Sequence, residues 1–208
     1  MPLVLNTTHH LALVGVWEIT EPSDFFEHAI AYRSGASNPG HHLQQLASRM
    51  LLDALYPGFP FAKITLNPAG KPIIEKSITQ FSISHTKGFA AAIIAEVTPV
   101  GIDIEGISPR VLKVEKKFLN AHEFMLLDRF SLQERIDFAS LFWCIKETVY
   151  KCWGKGGVDF SDGIRIMSFM PTEKGMAMLQ FGAFEQLHQV HYQRLGDLWI
   201  SHMQANLK

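Results

Sequence analysis

The chain is 208 residues long, enough to bury a substantial apolar core as one larger domain or two small ones without disulfides or structural metal. Hydrophobic residues make up 47% and charged residues 19%, which excludes a disordered chain, and 15 Phe with 4 Trp predict an aromatic-rich core. A net charge of −1, with 10 His uncounted, supplies no global basic field; nucleic acid is excluded as a partner and any bound anion needs a local cluster.

The N-terminal stretch MPLVLNTTHHLALVGVWEIT has no basic n-region or cleavable apolar core, and no run reaches the ~20 apolar residues that span a bilayer, so no membrane association is expected. Residues 11–19 predict a strand, and residues 23–35 a short helix ending near Ser34-Gly35. A clearer helix follows: Asn38 can cap, Pro39 takes the first helical position, and Leu43, Leu46, Ala47, Met50, Leu51 and Ala54 recur at helical spacing before Tyr56-Pro57-Gly58 stops it. Its polar side presents His41, His42, Gln45 and Arg49.

FAKITLN and PIIEK, on either side of the turn Asn67-Pro68-Ala69-Gly70-Lys71-Pro72, read as short segments. After Ser84-His85-Thr86-Lys87-Gly88 comes the apolar run FAAAIIAEV; the turn Thr98-Pro99 joins it to VGIDIEGI, so residues 89–106 predict a hairpin. RVLKVEKKFLNAHEFMLLDRF predicts two short helices. The strongest helix runs from Leu132 to Trp153, with a capping box in Ser131 and Glu134 and a stop at Gly154 and Gly156-Gly157. IRIMSF, MAMLQFG, QVHYQRL and DLWISHM then alternate as a meander of strands. The two halves share a helix-then-strands order and meet near residue 100.

In a strand over GIDIE, Val100, Ile102 and Ile104 take one face, and Gly101, Asp103 and Glu105 the other. The two carboxylates then project the same way, roughly 7 Å apart. A hard divalent cation and a solvated strand face are both open readings. In the long helix, Phe138, Leu141, Phe142, Ile145, Val149 and Cys152 fall in one stripe of about 100°. Opposite lie Trp143, Glu147 and Lys151, which suggests a cleft-lining face; an ordinary Glu147–Lys151 surface pair is the plainer alternative. Lys146 and Lys155 flank this region, and Lys71, Lys87, His85 and Arg49 are further candidate partners for a phosphorylated ligand.

Ser84-His85-Thr86 places a hydroxyl beside a base, but no oxyanion-hole motif or third orienting residue accompanies it. Cys144 and Cys152 lie eight apart in the helix, too far to pair; they read as packed hydrophobes in a reducing, cytoplasmic protein. The pairs His9-His10 and His41-His42 lack metal-site partners at suitable spacing and read as surface residues, with His41 and His42 near a helix start that attracts phosphate.

GIDIE at 101–105, followed some forty residues later by FWCIKETVYK at 142–151, resembles the signature pair of 4'-phosphopantetheinyl transferases. SISHT and NPAGKP fit as well, so the likeness spans roughly residues 67–157. The mid-chain Asp motif is similar to the surfactin-synthetase-activating type rather than the short trimeric acyl-carrier-protein synthase type. The resemblance implies an α+β fold of two similar lobes related by a pseudo-two-fold axis, each a helix on a small mostly antiparallel sheet. The lobes would span 1–99 and 100–208, in a monomer with its site between them.

It further implies transfer of phosphopantetheine from coenzyme A to a serine of an apo acyl or peptidyl carrier protein, releasing adenosine 3',5'-bisphosphate. By the same matching, Asp103, Glu105 and Glu147 would hold Mg²⁺. Lys151 would bind phosphate and act with Glu147 in catalysis. Ser84 and His85 would meet the phosphates of coenzyme A, and Gly70, Lys71, Pro72 and Arg49 its adenine and 3'-phosphate side. His41, His42 and Gln44 stand where family members often carry Arg or Lys. Either Glu147 or a metal-bound water would be the base. A catalytically silent carrier-protein or coenzyme A binding protein, and a Mg²⁺-dependent nucleotide pyrophosphohydrolase, are the alternatives. The type of carrier and the tolerance for acylated coenzyme A are not legible.

Overall fold

The computed structural model describes residues 3–30, 38–182 and 184–205, with the backbone alone described at 184–186. The first half begins with a hairpin, β1 (Leu3–His9) and β2 (Ala12–Glu18), of which the sequence pattern had indicated only the second strand. β1 is largely exposed, so it lacks the buried alternation that marks a strand. Helix α1 (Ser23–Ile30) follows, and its expected end near Ser34-Gly35 lies outside the described residues. Helix α2 (Pro39–Leu55) starts where the cap signals placed it: the Asn38 side chain accepts from the amides of Gly40 and His41.

FAKITLN splits into a 3-10 turn (Phe61–Lys63) and β3 (Ile64–Leu66), which pairs with β4 (Pro72–Ile74). β5 (Thr79–Thr86) and β6 (Phe89–Glu96) form a hairpin through Lys87-Gly88, and β2 occupies the other edge of β6, giving a sheet of order β1-β2-β6-β5. The hairpin expected over 89–106 is therefore not formed. With both edges of β6 filled, β7 (Val100–Gly106) leaves for a second sheet. The unbroken apolar run of β6 is explained by burial on both faces. Ala90, Ala92 and Ile94 pack with Leu46, Leu51 and Leu52 of α2, while Ala91, Ile93 and Ala95 join a separate core with Ile102 and Ile104 of β7.

Residues 110–130 form 3-10 turns (Pro109–Lys113 and Glu115–Lys117) and one short helix, α3 (Ala121–Leu127), in place of two helices. Helix α4 (Leu132–Trp153) has the expected Ser131–Glu134 capping box and a left-handed Gly154 at φ 64°. β8 (Ile164–Phe169), β9 (Lys174–Phe181), β10 (Phe184–Leu195) and β11 (Leu198–Gln204) are the expected meander, and β7 adds antiparallel to β11, giving the order β7-β11-β10-β9-β8.

The fold class is thus α+β, with antiparallel sheets of which the four- and five-stranded ones each carry a helix. One core lies between α2 and the four-stranded sheet, another between α4 and the five-stranded sheet, and a third where the sheets meet through Val14, Val16, Ile93, Ile102, Ile104 and Ile200. On the free edge of β7, the amides of Ile102 and Ile104 donate to the hydroxyls of Ser82 (3.3 Å) and Ser84 (3.4 Å) on β5, so side chains rather than a ladder join the two sheets there. Among the described residues, no helix is long and apolar enough to cross a membrane.

Gly101 marks the closest approach of β7 to α4: a Cβ there would press on the Thr148 carbonyl and lie 2.8 Å from the Cys152 amide. Gly101→Ala is expected to lower stability by about 1–3 kcal/mol through overpacking, read as a shift in the denaturant midpoint at unchanged m.

The reading of His9-His10 as an isolated surface pair is corrected. The β1–β2 turn brings both rings to His191 on β10, with centroids 3.9 Å apart for His9 and His191, and His202 on β11 lies 5.2 Å from His9. The partners come from strands some 180 residues away in sequence, so local spacing carried no sign of them. Burial, with the neighbouring rings, pushes His191 down to about 4 and His202 to about 3.

Candidate functional site

Strand alternation sends Val100, Ile102 and Ile104 into the core between the sheets and turns Asp103 toward α4. Asp103 is 2% exposed; its Oδ1 receives the Lys151 ammonium at 2.5 Å and the Ser84 hydroxyl at 2.8 Å. Lys151 also donates to Ser84 Oγ at 2.8 Å, closing a triangle that ties β5, β7 and α4 together. The other oxygen, Asp103 Oδ2, is buried and has no hydrogen-bond partner among the described residues. Two residues along β7, Glu105 Oε1 accepts from the Trp143 indole at 3.1 Å. Trp143, Glu147 and Lys151, one stripe of α4, therefore all face this cluster rather than open water.

The electrostatics show how crowded the carboxylates are. Burial, and then the Asp103 charge, push Glu105 up to about 7, and the same two causes push Glu147 up. Burial works against the Lys151 ammonium, but Asp103 and Glu147 outweigh it and hold its pKa above the ordinary value. Partial desolvation and the Lys151 charge hold His85 below its ordinary value; the His41 ring, 6.3 Å away, acts in the same direction.

A buried carboxylate oxygen with no donor among the described residues, beside two carboxyls driven toward protonation, offers the oxygen ligands a hard divalent cation takes, although the three side chains would have to draw together to share it. A folded-state value near 7 lies above the unfolded 4.5, so ionised Glu105 costs stability increasingly between those values and fully above 7. In chelator, Glu105→Gln is therefore expected to raise Tm at pH 8 and to leave it nearly unchanged at pH 4; an equal rise at both would mean that charge crowding is not the cause.

Cavities flank the cluster. One of about 200 Å³ is lined by Gly70, Lys71, Pro72, Ser82, Glu147 and Lys151; another of about 370 Å³ by Thr86, Glu105, Ser108, Arg110 and Trp143. The turn carrying Gly70 and Lys71 is docked on the C-terminal end of α4. Asn67 Nδ2 donates to the Gly154 carbonyl at 2.7 Å, its Oδ1 accepts from the Ala69 and Lys71 amides, and Gly70 takes φ 82°. Lys71 Nζ donates to the carbonyls of Cys152 (3.2 Å) and Val100 (3.4 Å), and burial lowers its pKa. Ser84, His85, Gly70, Lys71, Pro72, Asp103, Glu105, Glu147 and Lys151 are thus gathered in one region. Arg49 does not line either cavity; its Nη1 donates to the Gln45 carbonyl one turn earlier on α2.

Lys146 does not belong to the group. Its ammonium is fully buried on another side of α4, at 2.7 Å from Glu123 and bonded to the carbonyls of Phe118 (2.6 Å) and Phe160 (2.7 Å). One helical step of 100° separates it from Glu147, enough to reverse its role. Glu123 was missed as its partner, although Asn120-x-x-Glu123 carries a capping-box signal. Lys155 stacks over Trp153 at 4.4 Å, and Lys87 is exposed. Cys144 and Cys152 are buried, with thiol pKa values raised by burial. Arg110 at the second cavity carried no sequence signal beyond its place after Ser108-Pro109.

The profile of the 4'-phosphopantetheinyl transferase superfamily matches residues 99–203, which begin just before β7 and end in β11. The chain belongs to this superfamily. Among the similar proteins are the 4'-phosphopantetheinyl transferase gsp of Aneurinibacillus migulanus, 34% identical over 90 residues, and psf-1 of Bacillus pumilus, 32% over 113 residues. The 4'-phosphopantetheinyl transferase Sfp of Bacillus subtilis strain 168 is 33% identical over 88 residues. The matches cover 43%, 53% and 42% of this chain and 37%, 46% and 39% of the respective relatives, so less than half of each relative's length is spanned. As a phosphopantetheinyl transferase superfamily member, the chain carries both signature segments, GIDIE and FWCIKETVYK, inside the matched region, whereas NPAGKP and SISHT precede it.

Proposed function

We propose that the protein transfers 4'-phosphopantetheine from coenzyme A to a serine of an apo carrier protein in a Mg²⁺-dependent reaction, releasing adenosine 3',5'-bisphosphate. The single observation that carries this reading is the Asp103–Lys151–Ser84 triangle, with a buried, unpartnered carboxylate oxygen beside Glu105 and Glu147. Asp103, Glu105 and Glu147 would hold the cation, which when bound neutralises pyrophosphate oxygens and favours departure of the bisphosphate. In this reading residues 1–99 and 100–208 act as two lobes of a cytoplasmic monomer. The smaller cavity, lined by Gly70, Lys71 and Pro72, takes coenzyme A, with Ser84 and His85 beside it on β5 meeting its phosphates and Arg49 a more remote member.

The residues divide the work by their electrostatics. Lys151, held charged by Asp103, is better suited to bind and stabilise phosphate oxygens than to give up its proton. Glu147, which lines the smaller cavity beside Lys151, is placed to accept the proton of the carrier serine, directly or through a water on the cation. Glu105, fixed by Trp143 at the edge of the second cavity, faces the side from which that serine would enter.

Intact-mass measurement of an apo carrier incubated with coenzyme A and Mg²⁺ tests the proposal. One phosphopantetheine addition per carrier, lost in chelator, is expected. Coenzyme A bound without transfer to any of a panel of fatty-acid, polyketide and peptide-synthetase carriers would establish a silent binding protein instead. Coenzyme A consumed without a carrier would establish a pyrophosphohydrolase.

A further inference from the structure

We propose that His9, His10 and His191 form a second metal site, selective for a borderline transition-metal cation of the Zn²⁺ class, that fastens the β1–β2 turn to β10. One ring nitrogen from each lies within 4.8 Å of the others. A bound zinc takes its imidazole nitrogens at about 2.0–2.1 Å.

The topology shows why these rings meet. In the β10–β11 ladder His191 stands opposite His202, and His202 stands opposite Ile102 in the β11–β7 ladder. Alternation then separates His202 from its neighbour Ser201, whose hydroxyl lies against Cys144 and Thr148 of α4. His191 and His202 therefore lie on the face of the second sheet that meets the first, and they continue the row of Ile102, Ile104 and Ile200. The β1–β2 turn reaches over this margin. His10 sits in it at φ 51°, a left-handed conformation that His adopts more readily than most residues, and this sets its ring beside His9 at 4.4 Å.

The donor chemistry selects the cation. Three imidazoles with no carboxylate among them suit Zn²⁺, Ni²⁺ or Cu²⁺ and disfavour Mg²⁺, which needs oxygen ligands. A cavity of about 810 Å³ opens beside the rings, lined also by Gln189, Gln204 and Thr98, with room for water at the remaining coordination position. His202 packs against His9 and His191 and limits their movement. The site is on the opposite face of the five-stranded sheet from Asp103, so it is separate from the proposed transfer chemistry. Its effect is a cross-link between the two sheets, which stabilises the folded form by mass action when the metal is bound.

The test uses the 208-residue chain free of any histidine tag, stripped with chelator and titrated with Co²⁺ as a spectroscopic probe of zinc sites. Wild type and Asp103→Ala should each develop, at one equivalent, the intense visible bands of tetrahedral imidazole coordination, to which oxygen-bound Co²⁺ at the carboxylates adds only weak absorption, and Zn²⁺ should displace it and raise Tm. His10→Asn keeps the left-handed backbone accessible and replaces an exposed ring, so folding is not at risk; it should weaken binding by at least about 100-fold, more than loss of an outer-shell partner costs. Without Zn²⁺, the Mg²⁺-dependent rate of His10→Asn should equal that of wild type. Absence of a stoichiometric complex in wild type, or the same complex in His10→Asn, would overturn the proposal; loss of the complex in Asp103→Ala alone would reassign it to the carboxylates.

Discussion

Asp103→Asn is expected to reduce carrier modification by about 1000-fold or more in kcat/KM, the upper range for removal of one preorganised electrostatic group. Asn keeps the shape and can still accept from Ser84 Oγ and Lys151 Nζ, so the protein stays folded. What disappears is the charge that holds Lys151 protonated and the anionic Oδ2 that has no protein donor. Asp103→Ala should be at least as slow, with an added fall in Tm because the half-buried Lys151 ammonium loses its ion-pair partner. Initial rates by intact mass, read beside thermal midpoints, separate the two effects. A near-normal rate in Asp103→Asn would remove Asp103 from the chemistry.

Lys146→Met should instead damage stability: a loss of about 3–5 kcal/mol follows from leaving the fully buried Glu123 carboxylate without its counter-charge. Glu123 also accepts from the amides of Ile166 (2.7 Å) and Asn120 (2.9 Å), so it joins α3, α4 and β8. Adding Glu123→Gln to Lys146→Met removes the orphaned charge and keeps an acceptor for one of those amides, which bond to different carboxylate oxygens, and should recover part of the loss. Denaturant midpoints of the two single variants and the double variant give the coupling. If Lys146→Met kept full stability and weakened coenzyme A binding, Lys146 would be a phosphate ligand, as its place beside Glu147 in the sequence had suggested.

The contrast between Lys146 and Lys151 shows what was legible in the chain. Periodicity located α4 and its two faces, because a 22-residue helix with a capping box and a left-handed glycine has strong local signals. It placed Trp143, Glu147 and Lys151 on the side away from the core stripe, and GIDIE put Asp103 and Glu105 on one strand face. It could not show that Lys146, between those faces, meets Glu123, because that contact depends on where α3 docks. The β6–β7 connection failed for a related reason. A Thr-Pro turn between apolar runs reads as a hairpin when neighbours in sequence are assumed to pair, but β2 and β5 had already taken both edges of β6. The histidine cluster was invisible for the same cause: it is made by register between strands from opposite ends of the chain.

A crystal structure grown with coenzyme A and Mn²⁺ in place of Mg²⁺, with data at the manganese edge, would show whether the three carboxylates share a cation. An anomalous peak bound by Asp103, Glu105 and Glu147 is expected, with the pyrophosphate of coenzyme A reaching it from the cavity lined by Lys71 and Lys151. Coenzyme A in that cavity with no manganese beside Asp103, or manganese held by groups outside these three carboxylates, would contradict it.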